Sequence, residues 1–181
     1  MDIFTLAANS QYRHSRQVAK ISELLAKRLG YSPAEVSVIT QAATLHDVGK
    51  VDIPPEILSK SGVLSPGEYE LVKAHAAAGC RHIEETIRAL RVAAIVCKEH
   101  HERIGGKCGY LGLSDADIHS YSKLVAVVDV FDALYSKRAY KAPWNIQDIC
   151  RYFNDQAGLL FDSSIVALLL LSLIPDILRL Y

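Results

Sequence analysis

The sequence carries no excess of charge of either sign, 20 basic side chains standing against 20 acidic ones. Adhesion to a nucleic-acid polymer or to an anionic membrane needs a positive surplus, so neither is expected as a partner. A local basic pocket for a small phosphorylated ligand stays open. Cysteine is scarce and scattered: Cys80, Cys97, Cys108 and Cys150 form no CxxC pair. That excludes a disulfide framework and a zinc ribbon, and suits the reduced thiols of a cytoplasmic protein. The opening stretch MDIFTLAANSQYRHS has no basic segment followed by an apolar one, so no signal peptide is expected. The most apolar run, Ile165 to Ile174, is about half of the roughly twenty residues that a bilayer span needs, and it reads as a core helix. No alternation of polar and apolar residues marks a strand, and no internal repeat marks a solenoid.

What remains is a helical pattern. The chain has 181 residues, half of them hydrophobic, enough to bury the core of a single domain over 1–181. Val18, Ile21, Leu24, Leu25 and Leu29 recur at helical spacing, with Gly30 as a stop. Ser32-Pro33 supplies a cap and a first-turn proline for a helix through Leu45, ended by Gly49. Ile53-Pro54-Pro55 opens a short helix to Leu58, and Ser65-Pro66-Gly67-Glu68 has the spacing of a capping box. Further helices are expected through Leu71 to Cys80, Ile83 to Leu90, Val92 to Glu102, from Ser114 through Leu134, Asn145 to Asn154, and Asp162 to Ile174, closed by Pro175. Gly105, Gly106, Gly109 and Gly112 crowd one loop. The expected fold class is all-α, with about seven to nine helices.

Several side chains in this pattern can carry chemistry. His46-Asp47 ends an apolar helix in ATLHDVGK. A histidine favoured at a helix C-terminus beside a surface aspartate explains that pair as well as two metal ligands do. His100-His101 repeats the arrangement in AAIVCKEHHER. Adjacent helical residues point about 100° apart, so two imidazoles can address one metal from neighbouring directions, or simply face solvent. Asp129 is sharper, because LVAVVDVFDALY surrounds it with apolar neighbours. An ionised carboxylate there must be paired, protonated or bound to a cation. Asp132, one turn on, is expected to hydrogen-bond to backbone or to Arg138. His14 and His75 also lie on helices with apolar neighbours. Taken in order, His14, His46, Asp47, His75, His100, His101 and Asp129 have the number and hardness to hold two iron, manganese or similar ions bridged by one carboxylate. Two such ions about 3.5–4 Å apart can acidify a shared water and hold both oxygens of an in-line phosphoryl displacement.

The landmarks HSRQVA, AATLHDVGKVDIPPEIL, SGVLSPGEYELVKAHAAAG, HHER, VVDVFDALYSKRAYK and FDSSIV stand here in an order that resembles the HD-GYP family. That family is a subset of the HD phosphohydrolases that hydrolyse the bacterial second messenger cyclic di-GMP. The resemblance runs from about His14 to Ala167. It implies an HD-type helical bundle and a metal-dependent phosphodiesterase that cuts cyclic di-GMP to linear pGpG and onward to GMP. It also implies a ligand set: His14, His46, Asp47 and Asp129 for one metal, His75, His100 and His101 for the second, with Asp47 bridging. Asp47 and Lys50 would be catalytic, Lys50 contacting the scissile phosphate and the leaving group. Arg138 and Lys141 would bind the ligand's phosphates, and Tyr110 would border the substrate.

The chain departs from the family in its name-giving loop. There the family reads HHE, then a stretch with Trp, Asp and Gly that ends in Gly-Tyr-Pro; here the segment is HHERIGGKCGYLGL. Leu111 stands in the proline's place, Ile104-Gly105 in that of Trp-Asp, and Lys107-Cys108 intrudes. Losing proline and gaining glycine is expected to loosen loop 103–113, which in the family borders the ligand and contributes to contacts with other signalling proteins. Two alternatives follow: hydrolysis of another cyclic dinucleotide such as cyclic GMP-AMP, or a binding or adaptor role without turnover. Relatives with a third metal hold it through a glutamate one turn before the first histidine. Near that position stands Ser10, and no acid lies between Asp2 and His14, so two metals are expected. The receiver or sensor domain that often precedes this module is not in the sequence, so a stand-alone protein or a piece of a longer one is expected.

Overall fold

The computed structural model describes residues 10–60, 62–86, 88–106, 109–136 and 142–180. Among them are ten α-helices and no strand: α1 Ser10–Arg28, α2 Pro33–Leu45, α3 Pro55–Leu58, α4 Pro66–Lys73, α5 His75–Thr86, α6 Arg91–Glu99, α7 Ser120–Tyr135, α8 Ile146–Gln156, α9 Ser163–Leu168 and α10 Ile174–Leu178. The all-α expectation holds. The count becomes nine if α9, the π turn Leu169–Leu173 and α10 are taken as one rod. None of the described helices is long and apolar enough to cross a membrane.

The local signals act as expected at the caps. Ser32 and Ser65 each accept a hydrogen bond from the backbone N–H three residues on, while Glu35 and Glu68 return the bond to the cap N–H, so both capping boxes close. Gly30 sits at φ 81° after α1, a left-handed conformation that glycine adopts without strain.

Elsewhere tertiary contacts shift the boundaries. The helix expected from Ser114 is only a 3₁₀ turn at Asp115–Asp117, and α7 starts six residues later at Ser120. His119 N–H donates to the Glu99 carboxylate at 2.9 Å, and the His119 ring caps Tyr121 N–H, which holds this junction extended. Pro175 does not close the last helix. It lies in the first turn of α10, directly after the π turn Leu169–Leu173, where a helix tolerates a residue without an N–H. Gly49 is not a helix stop either: α2 ends at Leu45, and Gly49 sits inside a 3₁₀ turn, Val48–Asp52.

Apolar stripes decide what meets at the centre. On α1 the buried Val18, Ile21 and Leu25 continue the face that begins at His14. On α2 the same spacing runs Ile39, Ala42, Ala43, His46, and on α6 Ala93, Val96, Cys97, His100. His14, His46 and His100 thus stand at the ends of stripes that their helices must bury. Helix α7 is buried on nearly every side from Ser122 to Asp132, which makes it the central rod that carries Asp129 inward. Helix α1 packs on α2 and α7, α2 on α6, and α5 on α6 and on the Val48–Asp52 turn. Burying the stripes therefore brings five segments to one point.

Candidate metal centre

The seven side chains singled out in the sequence converge, forming two groups whose candidate ligand atoms lie within 4.8 Å of one another: His14, His46 and Asp129, and Asp47, His75, His100 and His101. Asp47 faces both. Its Oδ2 lies 3.8 Å from His14 Nε2 and 3.4 Å from His46 Nε2, while its Oδ1 lies 3.3 Å from His75 Nε2 and 3.7 Å from His100 Nε2. Asp129 Oδ1 is 3.0 Å from His14 Nε2 and 3.9 Å from His46 Nε2. Asp47 can span the groups because it follows the C-cap of α2 with φ −103° and ψ 10°, the sparsely populated bridge region in which many active-site residues sit.

The hydrogen bonds behind the rings fix which nitrogen points inward. His46 Nδ1 donates to Ala43 O at 2.7 Å, His75 Nδ1 to Val72 O, and His100 Nδ1 to Cys97 O at 2.9 Å. In the neutral tautomer that such a bond selects, a ring turns an unprotonated Nε2 toward the centre, the usual preparation of a metal-binding imidazole. The result is a set of lone pairs facing one another. His75 and His100 bring their Nε2 atoms within 3.5 Å, and both His46 Nε2 and Asp47 Oδ1 are buried without a hydrogen-bond partner among the described residues. Buried acceptors converging in this way are costly unless a cation lies among them. Imidazole and carboxylate are also donors that first-row transition metals accept, so the residues present fit a metal centre.

Protonation points the same way. Burial alone would push the Asp47 carboxyl up, but Lys50, whose Nζ is 2.5 Å from Oδ2, helps to hold it well below the usual carboxylate range. Burial also opposes charge on Asp129, and the bond from His14 reverses it. His100 and His101 are kept neutral mainly by burial, His101 falling to about 3. Burial likewise disfavours an imidazolium at His14, yet Asp129 and Asp132 outweigh it and raise the ring to about 9. Without a metal, a proton on His14 is the positive charge that these carboxylates collect.

Asp132 is the functional neighbour whose role the sequence did not reveal. Its Oδ2 accepts from His14 Nδ1 at 2.5 Å across 118 residues of sequence, and its Oδ1 accepts from Ser136 Oγ. A carboxylate behind a ligating imidazole orients the ring and raises its basicity. Asp132→Ala is expected to weaken metal binding by about 10–100-fold, with Asp132→Asn, which keeps an acceptor oxygen, closer to the parent. Competition against a chelator measures this, and equal affinities in all three proteins would remove Asp132 from the centre.

Of the expected substrate contacts, Lys50 lies at the centre, on Asp47. Tyr110 stacks 4.4 Å from the His101 ring, with Lys73 Nζ 5.7 Å from the Tyr110 centroid. Burial pushes the Tyr110 hydroxyl up to about 12, so it stays protonated at neutral pH. Arg138 and Lys141 lie outside the described residues.

The chain is similar to known proteins in sequence and in fold. A family profile described as "HD domain" covers residues 1–165. The chain belongs to the HD domain family. Over 156 residues this HD domain is 36% identical to a cyclic di-GMP phosphodiesterase of Thermotoga maritima, a match spanning 86% of the chain and 42% of the relative. It is 38% identical over 159 residues to 3'3'-cGAMP-specific phosphodiesterase 2 of Vibrio cholerae, spanning 87% of the chain and 30% of that protein. The chain thus spans less than half the length of these curated relatives. A solved structure titled as an HDG"Y"P protein, Bd1817 of Bdellovibrio bacteriovorus, superposes with a TM-score of 0.72 at 23% identity, covering 93% of this chain and 52% of that one. That likeness establishes the HD-type helical fold. The HD-GYP resemblance carried by the sequence landmarks agrees with these matches.

Proposed function

We propose that this HD domain hydrolyses a cyclic dinucleotide, with cyclic di-GMP as the first substrate and 3'3'-cyclic GMP-AMP as the second. The observation that carries the reading is Asp47, one carboxylate with an oxygen facing each of two ligand groups. The groups suit two divalent ions, iron or manganese, with His14, His46 and Asp129 on one side, His75, His100 and His101 on the other, and Asp47 between. Such ions supply Lewis-acid activation of water and of a phosphoryl oxygen. The protein's own part is to bind and to manage protons. Water adds to phosphorus, the bond from phosphorus to the 3' oxygen breaks, and the departing oxygen takes up a proton, giving linear pGpG from cyclic di-GMP; a second water cleaving the remaining phosphodiester in the same way gives two GMP. Lys50 is the cation poised for the scissile phosphate and the leaving oxygen, held ready on Asp47. Tyr110 offers an aromatic wall for a base. Arg138 and Lys141 are assigned to the second phosphate from sequence alone.

The guanine-adenine substrate is favoured by the similarity to the Vibrio cholerae enzyme named for it. The setting is a single cytoplasmic domain with a small-molecule substrate, contacting other signalling proteins through loop 103–113 and binding neither nucleic-acid polymer nor membrane. Metal analysis of chelator-free protein, followed by incubation with each cyclic dinucleotide under Fe(II) and Mn(II), tests the reading. Two metals per chain with a linear product supports it and ranks the substrates. Two metals without product in either condition would replace catalysis by ligand binding.

A further inference from the structure

Glu102 follows the second histidine of the HHER segment, and its side chain is only 2% exposed. Its carboxylate does not reach the metal ligands but turns to the backbone of the next loop. Oε1 accepts from Leu111 N–H at 2.7 Å and Oε2 from Leu113 N–H at 2.9 Å. The loop lies so close over it that a Cβ added at Gly109 would stand 2.3 Å from Oε2. Between Gly109 and Leu111 sits Tyr110, against the His101 ring and within reach of Lys73. Helix α6, the ligand pair His100-His101, the carboxylate and Tyr110 thus form one connected piece.

We propose that Glu102 is a positioning residue, a buried clamp that grips the Leu111 and Leu113 amides and holds Tyr110 as a fixed wall beside the metal centre. The chain's departure from Gly-Tyr-Pro gives the clamp its point. A proline at 111 would have no N–H and could not bond to Glu102. Leu111 replaces a constraint within the ring by a 2.7 Å hydrogen bond to a buried carboxylate oxygen. Gly109 is required by this close approach, which leaves no room for a Cβ above the Glu102 carboxylate. The loop is therefore anchored from beneath, which its glycine content concealed. That Tyr110 then faces a substrate base rests on the phosphodiesterase reading; the clamp does not.

The test combines Glu102→Ala, Glu102→Gln, Gly109→Ala and the double variant Glu102→Ala/Gly109→Ala. Backbone amide exchange of segment 109–113 and metal content are measured on all of them, and KM and kcat wherever turnover exists. Glu102→Ala is expected to speed exchange at Leu111 and Leu113 by about tenfold or more, leave metal content unchanged, and raise KM far more than it lowers kcat. Glu102→Gln, which keeps one acceptor oxygen, should fall between. Gly109→Ala should loosen the loop in the parent but add little once Glu102 is gone, because its steric partner is the carboxylate. If Glu102→Ala does not fold, Glu102→Gln and Gly109→Ala carry the same comparison. Unchanged exchange in Glu102→Ala, or an equal effect of Gly109→Ala with and without Glu102, overturns the clamp. A parent protein that turns over neither cyclic dinucleotide refutes the phosphodiesterase reading instead, and amide exchange still decides the clamp.

Discussion

Asp47→Ala is expected to empty both halves of the metal centre at once and to cut hydrolysis by about 1,000-fold or more. The reasoning is geometric. Other ligand candidates belong to one group, whereas Asp47 has an oxygen within 3.4 Å of His46 and another within 3.3 Å of His75. Removing it takes a negative charge from both sides and leaves Lys50 without its partner 2.5 Å away, so positive charge is left where cations must bind. Several kcal/mol of transition-state stabilisation supplied by bound metal translates into roughly three powers of ten in rate. The contrast is His101→Ala, which leaves His14, His46 and Asp129 intact and is expected to deplete one site preferentially. Metal analysis of both variants, with circular dichroism to verify folding, makes the comparison. Equal depletion by the two substitutions would mean that Asp47 is one ligand among several and not the bridge.

The second large effect is expected at a residue with no side chain. A Cβ at Gly49 would lie 2.0 Å from His75 O and 2.4 Å from Gly79 N, both backbone atoms at the start of α5 and one turn along it. Gly79 returns the constraint, since its own Cβ would stand 3.1 Å from Gly49 N. The Val48–Asp52 turn therefore rests on α5 backbone to backbone, and that contact sets how near Asp47 comes to His75. Gly49→Ala must push the two elements apart, at a cost of about 3 kcal/mol, the upper end of ordinary overpacking. For a chain of this size that lowers the melting temperature by roughly 6–12 °C. Metal affinity should fall with it. Gly67→Ala, where an added Cβ meets nothing within 4 Å, serves as the control and is expected to change stability by less than about 1 kcal/mol. Similar melting temperatures for the two variants would show that the turn yields easily and that the close approach is not needed.

Gly49 also illustrates which parts of this molecule can be read in its sequence. The candidate ligand histidines are legible in the sequence only as an ordered set, whereas Asp129 is legible by itself, because a carboxylate among apolar neighbours is expensive unless it is paired or bound, and that expense is local. The caps at Ser32 and Ser65 were legible for the same reason, since their partners Glu35 and Glu68 lie three residues on. In the sequence Gly49 reads as a helix stop, because its neighbours in the chain carry no sign that α5 passes within touching distance. The sequence suggests a local partner for Asp132, yet it reaches His14 118 residues away. The start of α7 was misplaced because Glu99, not the residues around Ser114, decides where the chain may turn helical. Glu102 carries no local signal in HHER, because its partners, the Leu111 and Leu113 amides, lie nine and eleven residues on.

The candidate metal ligands run from His14 on α1 to Asp129 on α7. Joining points so distant acts as a reversible cross-link: every segment between them is tied into a loop whose closure the unfolded chain would otherwise have to accomplish by chance. An ion that binds only the folded state adds about 4 kcal/mol of stability when its concentration exceeds the dissociation constant a thousandfold. The ions that equip the domain for chemistry would thus also be its staples, and a cell starved of them would lose the fold's reserve along with the activity.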